Sequence, residues 1–206
     1  MSIELPSGEE MVVSRGPLPA QFKERETVLR SEIESIDGES KLDRQRELVD
    51  LYVAANRFDL AGEEAEKVAE IENTEEIWVF AANLYYDWME IIDPVEKGYF
   101  AVKSIAAYRR VLVINPENLD ARTDMAIAYM YDTENPMLAI QETMIVLDYD
   151  SLHVNANFNR AIMLLKINRV DQALKQLEKV KRIVGDPKNP VYQRAEQVIQ
   201  DTRKNG

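Results

Sequence analysis

The chain has 206 residues, 46% of them hydrophobic and 30% charged, with only 7 Gly and 8 Pro. That is too apolar for a disordered polymer and too poor in turn residues for an all-β protein, so the composition points to helices. A formal net charge of −12 opposes nucleic-acid phosphates and anionic lipid, aids solubility and favours basic partners, and the lack of cysteine removes disulfides, thiolate zinc sites and cysteine nucleophiles.

Residues 1–17 carry Pro6, Gly8, Gly16 and Pro17 among small and charged side chains and are expected to be loosely ordered. They lack the apolar run of a signal peptide, and no stretch reaches the roughly 18 apolar residues of a membrane span. The expected location is therefore the cytoplasm, with the periplasm as the alternative if an anchor precedes this sequence. Pro19 opens a helical pattern through Phe22, Leu29, Ile33 and Ile36, which Asp37-Gly38 stops. Residues 18–41 are thus expected to form an N-terminal capping helix and its turn.

Four copies of one spacing follow. Small or modest residues stand at Ala61, Ser104, Ala139 and Ala173. Four positions after each come Ala65, Tyr108, Thr143 and Leu177, then Val68, Val111, Val146 and Val180 three further on. Helix-ending or turn residues close each copy, at Asn73, Pro116, Ser151 and Gly185. Preceding each small residue is a second apolar set: Leu48-Val49 with Tyr52, Ala81-Ala82 with Tyr85, Met125-Ala126 with Tyr129, and Ala161 with Leu164. The unit this implies is a pair of antiparallel helices, in which a small side chain lets the two approach and neighbouring pairs stack to bury what one pair cannot.

This pattern resembles the tetratricopeptide-repeat family, whose unit is 34 residues long. Ser104 to Ala139 spans 35 residues and Ala139 to Ala173 spans 34. Trp78 matches the family's tryptophan near the start of a first helix, whereas Gln45, Arg122 and Asn157 depart from it; Asn56 and Asn168 fall where the family often has Gly. The resemblance covers about residues 42–187. It implies an all-α, right-handed superhelix of about four stacked antiparallel pairs, with a C-terminal solvating helix over 188–206. It also implies a protein-binding scaffold, not an enzyme, with no cofactor. Asp120-Ala-Arg122-Thr-Asp124-Met-Ala126 further resembles a segment of bacterial repeat proteins associated with cytochrome c biogenesis, and Arg122 and Asp124 are expected to pair with neighbouring helices.

Two surfaces are candidates for a partner. The resemblance places a peptide-binding groove on the first helix of each pair. In this sequence that is Asp43, Glu47, Asp50, Asn83, Tyr86, Asp87, Asp120, Asp124, Asn155 and Asn159, an acidic set that would prefer a basic protein or peptide and reject nucleic acid. The second surface comes from a departure. Between Tyr85 and Ser104 lie about ten residues more than in the other clear copies, and Asp93-Pro94 reads as a helix start. The second pair is thus lengthened at about 86–103. Trp88, Ile92, Tyr99 and Phe100 then sit on an arm that either contacts a partner or a second copy, as in a homodimer, or packs internally.

Catalytic arrangements are absent from the sequence. His153 is the only histidine and reads as a surface or capping residue at a turn. Five methionines, Met125, Met130, Met137, Met144 and Met163, read as core filling.

Overall fold

A computed structural model describes residues 17–93, 96–132 and 137–204. The expected loose segment at 1–17 therefore lies, except for Pro17, outside the described residues, as do Pro94 and Val95. Among the described residues there are ten helices and no strand. They are α1 (Ala20–Ser35), α2 (Glu39–Ala54), α3 (Phe58–Glu72), α4 (Glu75–Ile91), α5 (Lys97–Ile114), α6 (Leu119–Ala128), α7 (Met137–Tyr149), α8 (Val154–Lys166), α9 (Val170–Val184) and α10 (Pro190–Lys204). The chain divides into two compact units, one ending at Glu117 and the other starting at Asn118. Each is an all-α stack of sequence-adjacent antiparallel helices, α1 to α5 in the first and α6 to α10 in the second.

The repeated spacing accounts for the packing. All twelve residues of the small-then-large series, Ala61-Ala65-Val68 through Ala173-Leu177-Val180, are buried. So are the first-helix residues that face them, including Leu48, Tyr52, Ala81, Tyr85, Met125, Tyr129, Ala161 and Leu164. The tryptophan-like positions share one environment despite their different chemistry. Gln45, Trp78 and Asn157 are buried, and Arg122 is half-buried. The polar replacements find local partners: Asn157 donates to the Ser151 and His153 carbonyls at 3.1 and 2.8 Å, and Arg122 donates to Glu142 of α7 at 2.6 Å.

Turn chemistry sets the hairpins. Asn56, Asn73 and Asn168 hold positive φ of 54°, 48° and 59°, the left-handed conformation that Asn tolerates better than other side chains. That is why asparagine can serve where a related repeat uses glycine. Gly185 takes the same role after α9 at φ 69°. Asn118 caps α6, its Oδ1 accepting from the Ala121 N–H at 2.8 Å. At the second pair, α5 opens at Lys97 with Glu96 as N-cap, and the helix start expected at Asp93-Pro94 involves Pro94, which lies outside the described residues.

The first unit is stitched by two buried phenols. Arg30 of α1 donates to the Tyr52 hydroxyl at 2.7 Å, and that hydroxyl donates to Glu26 at 2.5 Å. Tyr85 of α4 donates to Glu66 of α3 at 2.8 Å, and Lys103 of α5 donates to the same carboxylate at 3.2 Å. Beneath them, Arg57 and Asp59 form a buried two-bond fork at 2.8 and 2.7 Å across the α2–α3 turn.

Burial, and then the hydrogen bond to Glu26, push the Tyr52 phenol above its ordinary range. Burial and the Glu66 carboxylate do the same to Tyr85. The folded chain thus keeps protons that the unfolded chain loses at about pH 10. The stability these phenols contribute is complete below that pH and disappears as pH rises past it. The urea midpoint should stay level to about pH 9 and fall between about pH 10 and 12. Tyr52→Phe with Tyr85→Phe should flatten that fall, whereas an equal fall in the double variant would assign it to other groups.

Candidate functional site

In the second unit, α6, α8 and α10 enclose a cleft of about 180 Å³ lined by Asp124, Ile127, Asn155, Phe158, Asn159, Val191 and Arg194. Three of the residues expected on a groove, Asp124, Asn155 and Asn159, are brought together here. Local sequence explains their aim. Ala156, Phe158 and Ala161 turn one face of α8 into the core, leaving Asn155 and Asn159, one turn apart, on the side toward the cleft. His153 starts that helix: its Nδ1 accepts the Ala156 N–H at 3.2 Å, the capping role the sequence suggested. Asn155 and Asn159 make no side-chain hydrogen bond among the described residues, so their amides can both donate and accept.

Arg194 is the residue that sequence reasoning missed. It reads as part of a solvated face of the C-terminal helix, yet its guanidinium lies over the Phe158 ring at 5.0 Å and forms one wall of the cleft. The packing of α10 decides this. Ala195 and Ile199 join Leu177 and Val180 in one core cluster, and that rotation carries the neighbouring Val191 and Arg194 toward α8. With Asp124 and Arg194 in one cleft, its charge is balanced.

The other expected groove residues have different surroundings. Asp120 is largely exposed and lies 3.3 Å from His153 Nε2. In the first unit, Asp43 pairs with Arg46 at 2.8 Å, and Glu47 pairs with Arg25 of α1 and with Arg44. Asp50 is exposed and in no ion pair among the described residues, and Asn83 accepts from the Tyr108 hydroxyl at 2.7 Å. Tyr86 is half-buried and Asp87 exposed on α4. The acidity is also unevenly spread. Residues 1–117 hold 25 Asp and Glu against 13 Lys and Arg, whereas residues 118–206 hold 12 of each. The net charge of −12 therefore belongs entirely to the first unit.

Of the two alternatives for the aromatic segment, its described residues take internal packing. Trp88 and Phe100 are buried, and Ile92 and Tyr99 are half-buried. Phe100 is ringed by Tyr85, Trp88 and Tyr99 at centroid distances of 6.2, 6.4 and 5.0 Å. The helices of this pair, 17 and 18 residues long, turn these side chains toward each other, so Trp88 and Phe100 are core and not a partner surface. The methionines divide as well. Met125 and Met163 are buried, but Met137 and Met144 are 59% and 45% exposed, so they do not fill the core.

No family model matches the sequence, and no curated protein does. Solved structures do. A crystal structure of MamA aligns over 89% of this chain and 97% of its own at 13% identity, with a TM-score of 0.55. A MamA RS-1 double mutant covers 87% and 92% at 12% identity and 0.58. A Podosopora anserina protein with nearly identical TPR-like repeats covers 82% and 90% at 16% identity and 0.58. The fold is a tetratricopeptide-type helical repeat. At these identities the likeness concerns the backbone and not the partners. Among the described residues no helix is long and apolar enough to cross a membrane.

Proposed function

We propose that this protein is a non-catalytic interaction scaffold that seats an extended peptide of a partner protein in the cleft between α6, α8 and α10. The observation that carries the reading is the pair of unbonded amides of Asn155 and Asn159, one helical turn apart, on the wall of a cleft floored by Ile127 and Phe158. Such amides can bond the N–H and C=O groups of an extended main chain, while the apolar floor takes a side chain. Arg194 and Asp124 then favour a segment that carries both charges, and nothing in the cleft calls for a purely basic one. The resemblance of residues 120–126 to cytochrome c biogenesis proteins adds no ligand chemistry, because Arg122 is engaged with Glu142 and Ala121 and Ala126 are core.

A displayed library of random 12-residue peptides, selected on this chain, tests the reading. Selected peptides should bind Asn155→Ala/Asn159→Ala about tenfold or more weakly, since each lost hydrogen bond is worth about 0.5–1.5 kcal/mol. Arg194→Ala should discriminate most against peptides with an acidic residue. Peptides that bind the double asparagine variant as tightly as the parent would place the site elsewhere.

A further inference from the structure

Helix α7 is apolar on more than the face it buries. Ala139, Thr143 and Val146 enter the core, yet on the other side Met144, Ile145 and Tyr149, with Leu152 in the following turn, are 45%, 37%, 72% and 61% exposed. A helix apolar on both sides is expected to be covered on both. Beside this surface runs a row of cations. Lys175, Lys179 and Arg182 recur at i, i+4 and i+7 along α9, on one face. Lys179 donates to the Ser151 carbonyl at 2.7 Å, which fixes the row next to Tyr149 and Leu152. None of the three is in an ion pair among the described residues. Of the nearby acids, Asp150 accepts the Leu152 N–H at 2.9 Å, Glu178 is shared by Lys181 and Arg203, and Asp148 is exposed in the last turn of α7.

We propose that this apolar and basic face of the second unit docks the acidic first unit of another copy of the same chain. Charge complementarity selects that occupant. All of the net negative charge lies before residue 118. Glu34, Asp37 and Glu39 crowd the α1–α2 turn, exposed and in no ion pair among the described residues. The two surfaces differ, so the contact is heterologous, and a single contact leaves one acidic and one basic surface free for a further copy. This assembly is independent of the α6–α8–α10 cleft.

Sedimentation velocity across a concentration series tests it. At about 0.01 M salt, where screening reaches only about 30 Å, the mass should rise with concentration above the 23.7 kDa protomer. It should fall back toward the protomer as salt increases. Lys175→Glu/Arg182→Glu and Glu34→Lys/Asp37→Lys should each be monomeric at low salt with unchanged helical circular dichroism, and mixing the two should restore association. Tyr149→Ser/Leu152→Ser should weaken it without changing its salt dependence. A protomer mass at every concentration and salt would overturn the proposal. So would assembly that survives both charge reversals, or a chain that stays monomeric while its α9 cations bind phosphatidylserine vesicles.

Discussion

Phe100→Ala is expected to lower folding stability by about 3–5 kcal/mol, the usual cost of truncating a fully buried aromatic. Phe100 has no exposed surface and lies among Tyr85, Trp88 and Tyr99, edge-on to Trp88 and Tyr99 at 72° and 81°. Removing it loses the buried apolar area, those edge contacts and the packing of α4 on α5 at once. Relaxation is limited, because Tyr85 is held by Glu66 and cannot swing into the void. Tyr99→Ala, at a half-buried ring, should cost clearly less. Urea denaturation of both variants checks this. A change below about 1 kcal/mol for Phe100→Ala would match a surface substitution and return the ring to a projecting arm.

The second large effect is expected at Gly62. A Cβ placed there would meet three ring atoms of Tyr85 at 2.6, 2.8 and 3.0 Å, closer than carbon atoms approach. The ring cannot yield freely: its hydroxyl reaches Glu66, one turn along the same helix, and Phe100 backs it. Alanine at this site gains about 1 kcal/mol of helix propensity, which offsets part of the overlap. Valine gains less and adds two methyl groups, so Gly62→Val should destabilise by about 1–3 kcal/mol or more. It should also separate α3 from α4. Pairing it with Tyr85→Leu, which vacates the ring, should recover part of the loss. If the double variant shows only the sum of two independent losses, the Gly62–Tyr85 contact is not the cause.

Both effects bear on how far the sequence could be read. The spacing Ala61-Ala65-Val68 and its three counterparts reported buried faces correctly because helix periodicity is local: residues at i, i+4 and i+7 share a side whatever lies beyond. The same logic gave His153 its place at a helix start and Asn56 and Asn168 theirs in turns, since caps and left-handed residues answer to their immediate neighbours. The apolar stripe of the lengthened second pair was equally visible. Its meaning was not, because a stripe says which side avoids water and leaves open what covers it.

What the amino-acid order determined by itself is the all-helical repeat, its registers and the residues that end its helices. Arg194 became part of a cleft only through the docking of Ala195 and Ile199 on α9, a rotation no local pattern encodes. Phe100 became core only when α4 and α5 closed on each other. The imbalance of charge could be counted in advance, but it gained a location only when the chain divided at Glu117 and Asn118. Periodicity is a property of neighbours along the chain, whereas a surface is made by residues from separate helices, and only packing brings those together.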